Sequence, residues 1–169
     1  ISLSTGTLVE RIERCRARGV RQFQISLPAW HAVSDAELSE FFRATCGQFP
    51  DCRFLHYNLL RTKRLLTVDD YVRLAGDHSN LVATKNTGFQ GDDLRALLDR
   101  TPTITHYLGE RGLAQTLPTD NVGLLASIST VSAARCREFY ETCRAGNAET
   151  RNRLAAEISA LGQLLRVAV

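Results

Sequence analysis

Two side chains in this sequence suit covalent carbonyl chemistry. Lys85 ends the apolar run Leu81-Val82-Ala83-Thr84, and Tyr57 ends Phe54-Leu55-His56. If both runs are parallel strands, the carboxyl ends of consecutive strands bring an amine and a phenol to one cavity. A neutral amine attacks a ketone carbon, and the protonated imine that follows withdraws electrons from the neighbouring carbon. The phenol carries the protons that imine formation and carbon-carbon bond cleavage or formation require. The polar turn Asn86-Thr87-Gly88 continues the lysine run, and a partly dry barrel mouth favours the neutral form of an amine. Each residue also has a plainer reading: a lysine that snorkels from a strand end to solvent, and a rim tyrosine with its hydroxyl in water.

Such a pair needs a framework of parallel strands. The 169 residues, 44% hydrophobic, suffice for one domain with a buried core. Ile1 to Ser4 reads as a strand and Leu8 to Arg18 as a helix that Gly19 terminates. Phe23 to Leu27 is the next strand, stopped at Pro28. Ser34 opens a helix with Asp35 and Glu37 in its first turn and Leu38, Phe41 and Phe42 on its buried stripe. Phe54 to Tyr57 is a strand, and Thr67 with Asp70 forms a capping-box-like helix start.

The alternation continues with strand Leu81 to Thr84, helix Asp92 to Leu98, strand Ile104 to Leu108, a short helix Arg111 to Thr116 and strand Leu124 to Ile128. Helices over Ala133 to Arg144 and Glu149 to Val167 follow, with Gly146 between them. This order is that of an α/β protein with a parallel sheet. A doubly wound sheet produces the same alternation, but Ser4-Thr5-Gly6-Thr7 is not the Gly-rich turn such a fold places after its first strand. Candidate reactive groups at the ends of several strands favour a (β/α)8 barrel. About six strands cannot close it, so about two strand-helix units are expected to be missing. The sequence also contains no methionine, a further reason to expect a piece of a longer gene product.

Composition limits the partners. A formal net charge of +3, spread without a block, fits a solvated surface better than a nucleic-acid footprint. Arg61, Lys63 and Arg64 form a local basic cluster without interleaved aromatics. The five cysteines, Cys15, Cys46, Cys52, Cys136 and Cys143, lack C-x-x-C spacing; with no signal-like segment they point to reduced thiols and a cytoplasmic location. Cys136 and Cys143 share one helix face and suit core filling better than metal binding. No apolar run approaches a membrane span, and His31, His78 and the scattered carboxylates have no metal-ligand spacing. His56 and His106 fit core positions, while Tyr107 falls nearer the pocket mouth.

The segments resemble the dihydrodipicolinate synthase and N-acetylneuraminate lyase family of class I aldolases. His56-Tyr57-Asn58 is similar to its tyrosine strand and Val82-Ala83-Thr84-Lys85-Asn86-Thr87 to its Schiff-base strand. Ser26-Leu27-Pro28 resembles the preceding strand end, Leu108-Gly109-Glu110 the following glycine-acid turn, and Ser127-Ile128-Ser129 the last barrel strand. The resemblance implies an incomplete (β/α)8 TIM barrel with C-terminal helices. Residues 1–145 would hold the family's strands 3–8, and residues 146–169 would begin the C-terminal helical region.

It further implies a Schiff-base-dependent aldolase or lyase acting on pyruvate or a related 2-oxo acid, without metal or cofactor, and a homo-oligomer, dimer or tetramer. Lys85 and Tyr57 would be catalytic, and Arg61, Gly109, Ser127 and Ser129 would bind substrate, an aldehyde being the second reactant. The family's carboxylate-binding hydroxyl pair falls in a region this sequence lacks; Ser4-Thr5-Gly6 lies one strand later and does not take that role. Ala29-Trp30 stands where synthases carry two tyrosines, and indole cannot relay protons at neutral pH. Leu59-Leu60-Arg61-Thr62 lacks the family's proline. These departures leave open a 2-oxo acid hydratase or dehydratase and an inactive structural or regulatory relative. An activity of the 169 residues alone is not expected. A metal-dependent aldolase is disfavoured by the scattered ligands.

Overall fold

The computed structural model describes residues 4–116 and 119–167. Five parallel strands form one sheet in sequential order: β1 (Gln22–Ile25), β2 (Arg53–Asn58), β3 (Leu81–Asn86), β4 (Thr105–Leu108) and β5 (Val122–Leu124). Five helices alternate with them: α1 (Thr5–Arg16), α2 (Asp35–Phe42), α3 (Val68–Asp77), α4 (Gly91–Arg100) and the short α5 (Glu110–Leu113). Two further helices follow, α6 (Ala133–Arg144) and α7 (Ala148–Val167). Sequential strand order with helical crossovers is that of a (β/α)8 barrel with fewer strands than closure needs. The expected strand at Ile1 to Ser4 falls on residues 1–3, outside the described residues, and Ser4 caps α1 by accepting from the Thr7 amide.

Local chemistry sets the helix boundaries. Ser34 and Glu37 form a reciprocal capping box, as do Thr67 and Asp70. Arg64 ties these two starts together, donating to the Val33 carbonyl at 2.9 Å and to Asp35 at 2.7 Å, with Asp70 at 3.5 Å. Gly146, at φ 73°, provides the left-handed break between α6 and α7. Beyond Phe42 the helix widens into a π-helical stretch, Arg43–Gly47, where the Thr45 hydroxyl donates to the Phe41 carbonyl.

The helices cover one face of the sheet. Phe54, Tyr71, Leu74, Phe41 and Phe42 fill the core beneath α2 and α3, and Leu108, Val122, Phe139 and Leu154 the core beneath α5 to α7. Each such side chain contributes about 1.5–3 kcal/mol when fully buried. Cys136 and Cys143 belong to the second core, and all five cysteines are free thiols. The opposite face carries Gln22, Gln24, Leu55, Tyr57, Lys85, Thr105 and Tyr107, all exposed or half-buried. Among the described residues no helix is long and apolar enough to cross a membrane.

Two strands end before the expected residue: β1 stops at Ile25 rather than Leu27, and the larger difference is at β5. Strand β5 ends at Leu124 rather than spanning Leu124 to Ile128, and Ile128–Thr130 forms a 3-10 turn. The Glu110 carboxylate accepts the Ile128 amide at 3.1 Å, and the Ser129 and Thr130 hydroxyls donate to the carbonyls of Ala126 and Ser127. These local bonds outcompete an extended ladder.

Candidate active site

Strands β2 and β3 bring Tyr57 and Lys85 into direct register. Their side chains share the helix-free face, and the Lys85 Nζ lies 4.1 Å from the centre of the Tyr57 ring. The amine nitrogen thus stands over the electron-rich ring face; among the described residues no hydrogen bond joins the phenol oxygen to the amine. Pairing of Lys85 with Tyr107 and of Tyr107 with Gly123 extends the same rung over four strands. A Cβ on Gly123 would lie 2.7 Å from both Cδ1 and Cε1 of Tyr107, so the ring occupies space that any other residue would claim. Below the rung, Gln24, Leu55, Ala83, Thr105 and Tyr107 line a hollow of about 380 Å³.

The phase of Lys85 depends on a register shift. Phe54 pairs with Leu81, whereas Leu55 pairs with Ala83, which leaves Val82 as an extra residue in β3. Leu81 therefore points into the helix-covered core while Lys85, an even number of residues later, points away from it.

Behind Lys85 runs a buried polar chain. His56 Nδ1 lies 2.9 Å from the Tyr71 hydroxyl, which donates to Asn86 Oδ1 at 3.3 Å. Asn86 Nδ2 donates to Thr84 Oγ1 at 2.6 Å, and Thr84 Oγ1 lies 2.8 Å from His106 Nδ1. His106 Nε2 is 2.8 Å from Thr101 Oγ1, which donates to the Leu97 carbonyl. Burial pushes His56 down to about 3. Burial likewise pushes His106 down to about 4, against a partial offset from a backbone hydrogen bond at Thr101. Both imidazoles are thus neutral at physiological pH.

The mouth of the sheet is shaped by the segment after β2. Asn58 donates to the Leu66 carbonyl at 3.1 Å and accepts from the Leu66 amide at 2.9 Å, closing residues 59–65 into a loop. Within it the Thr62 hydroxyl bonds the carbonyls of Leu59 and Arg64, and Lys63 Nζ donates to the Trp30 carbonyl. Arg61 is exposed and takes part in none of the ion pairs of the described residues, unlike its neighbour Arg64. The Trp30 side chain is exposed.

Gly109 precedes α5 at the end of β4, and Ser127 and Ser129 are exposed on the turn after β5. The geometry thus brings Lys85 and Tyr57 together and sets Arg61, Gly109, Ser127 and Ser129 at the same carboxyl ends of the sheet. The two serines lie on a turn, not on the expected strand. Sequence reasoning placed Tyr107 near the pocket mouth but not beside Lys85; the signal for that rung was Gly123, a glycine inside a strand. Ser26, read from sequence only as part of a strand end, is buried, and its Oγ has no hydrogen-bond partner among the described residues.

A model of the dihydrodipicolinate synthetase family matches residues 2–168. The chain belongs to this family. No curated protein matches it by sequence. Its fold is similar to that of YagE, a prophage protein of the dihydrodipicolinic acid synthase family from E. coli K12 solved in complex with pyruvate, with a TM-score of 0.83 and 18% identity over 97% of this chain and 57% of that one.

The dihydrodipicolinate synthase of Cyanidioschyzon merolae, solved with lysine bound, gives 0.76 and 23% over 90% of this chain and 53% of that one. The Aquifex aeolicus dihydrodipicolinate synthase gives 0.74 and 20% over 98% and 56%. At these identities the likeness is one of fold. The chain spans little more than half the length of these family members.

Proposed function

We propose that this chain carries the imine-forming part of a class I aldolase or lyase acting on pyruvate or a related 2-oxo acid. The observation that carries this reading is the Lys85 amine over the Tyr57 ring on the uncovered face of a parallel sheet. Family membership and the pyruvate bound to YagE support it.

In the proposed cycle the neutral Lys85 nitrogen attacks the keto carbon. The carbinolamine hydroxyl leaves as water with a proton relayed by the Tyr57 phenol. As the substrate hydroxyl beyond the breaking bond gives its proton to the Tyr57 oxygen, left as phenolate by the preceding step, the iminium takes up the electron pair of the carbon-carbon bond, releasing an aldehyde and leaving an enamine; loss of a carbon-bound proton gives the same enamine. Protonation of the enamine and hydrolysis of the imine return the oxo acid and free Lys85. Addition to an aldehyde runs the bond-breaking step backwards.

Arg61, beyond β2, is proposed to meet an anionic group of the substrate through its guanidinium fork. The Gly109 turn and the hydroxyls of Ser127 and Ser129 border the same end. Assembly into a homo-oligomer belongs to this reading and is checked by light scattering. A hydratase or dehydratase passes through the same iminium and differs only in the bond that breaks.

Borohydride reduction in the presence of pyruvate tests the proposal. Lys63 and Lys85 are the only lysines, so peptide mass spectrometry has a built-in control. The expected result is a reduced pyruvate adduct on Lys85, none on Lys63, and none in Lys85→Arg. A folded full-length protein that yields no adduct at Lys85, or one on Lys63 alone, overturns the reading in favour of an inactive scaffold.

A further inference from the structure

The polar chain behind β3 crosses five elements or their ends, and Lys85 sits at its middle. Thr84 and Asn86, the residues on either side of Lys85, both turn toward the helices, are buried, and bond each other at 2.6 Å. Buried polar atoms on a strand that otherwise faces apolar helices carry a desolvation cost that only full pairing offsets.

The pairing has one consistent direction. Asn86 Nδ2 donates to Thr84, so Asn86 Oδ1 is the acceptor for the Tyr71 hydroxyl. Having donated its one hydrogen to Asn86, Tyr71 accepts from His56 Nδ1–H. His56 Nε2, buried without a partner, then bears a lone pair rather than an orphaned N–H. On the other side, Thr84 donates to His106 Nδ1, and His106 Nε2–H donates to Thr101, which donates to Leu97. Each hydroxyl rotor and each imidazole tautomer is thereby fixed.

We infer that this chain, from His56 through Tyr71, Asn86, Thr84 and His106 to Thr101, is a positioning device that holds Lys85 over Tyr57. A strand anchored by side chains immediately before and after residue 85 cannot roll about its axis, and so the lysine leaves the sheet in one direction. Thr84 and Asn86 act through the backbone of Lys85; neither meets substrate. The inference takes from the proposed function only that Lys85 is the reactive amine.

The test reads geometry and reactivity separately. Reductive methylation with carbon-13 formaldehyde gives one dimethylamino signal for Lys63 and one for Lys85, and the Tyr57 ring current displaces the latter upfield. Thr84→Val keeps the side-chain shape and removes the hydroxyl; Thr84→Ser restores it.

The Lys85 signal of Thr84→Val is expected to move toward that of Lys63, and borohydride trapping with pyruvate to slow by about tenfold to a hundredfold, the effect of roughly an ångström of misplacement. Thr84→Ser is expected to recover both. A Thr84→Val protein that stays folded and leaves the Lys85 signal in place shows the chain to be packing alone and overturns the inference. Failure of the unmodified protein to trap pyruvate rejects the proposed imine chemistry instead, and the ring-current signal still decides the positioning role.

Discussion

The Tyr107 ring lies against Gly123 so closely that a single added methyl group would meet two of its carbons at 2.7 Å. Tyr107 and Gly123 are register partners, so neither can change size alone. Gly123→Ala is expected to lower stability by about 1–3 kcal/mol through overpacking. The double variant Tyr107→Ala with Gly123→Ala is expected to lose less than the sum of the single losses. Urea unfolding of the four proteins measures this coupling; strict additivity would contradict the contact.

Tyr57 offers two separable features, a ring face and a hydroxyl. Tyr57→Phe keeps the face beneath Lys85 and removes the proton carrier. On the proposed mechanism the reduced pyruvate adduct still forms at Lys85, but its rate of formation falls by about a hundredfold to ten-thousandfold. Tyr57→Leu loses the ring current at Lys85 as well. Timed quenching with borohydride gives the rates, and equal rates for Tyr57→Phe and the unmodified protein would remove the phenol from the mechanism.

Stability should fall as the solution is acidified below about pH 6.5. In the unfolded chain a histidine takes its proton near that value, whereas in the fold His56 resists it down to about 3 and His106 down to about 4. Between those limits the unfolded state binds more protons, so stability rises with pH at about 1.4 kcal/mol per pH unit for each histidine. Burial lowers His78 as well, so His56→Phe removes one of three histidine contributions and is expected to reduce the slope without abolishing it. Urea midpoints taken between about pH 4.5 and about pH 7.5 provide the comparison.

Asn58 imitates a strand partner for Leu66, donating to its carbonyl and accepting from its amide. Asn58→Ala leaves both backbone groups unpaired in a buried setting, with an expected loss of about 1–3 kcal/mol. The loop that carries Arg61, Lys63 and Arg64 is then expected to open to trypsin. Limited proteolysis with mass spectrometry identifies the cut sites, and cleavage elsewhere first would speak against the clamp.

Much of the framework was legible in the sequence because its signals are local. Ser34 with Glu37, Thr67 with Asp70, and the helix break at Gly146 each depend on residues no more than a turn apart, and the structure uses them as expected. The juxtaposition of Lys85 and Tyr57 was legible because strand ends in a parallel sheet share one side. The end of β5 was not, since Leu124 to Ile128 has strand-like composition and Glu110, distant in sequence, diverts it. Nor was the chain joining Thr84 to His106: a threonine in an apolar run carries no mark of a partner on the next strand. The Lys85 rung was likewise seen only in part, because Tyr107 and Gly123 explain one another only once paired.

The extra residue at Val82 lets a single strand answer to two masters. Before it, β3 is held by the packing of Leu81 among the helices; after it, the same strand presents Lys85 to the uncovered side. One inserted residue thus reverses the phase of the strand, so that Leu81 and Lys85, an even number of residues apart, serve opposite faces of the sheet.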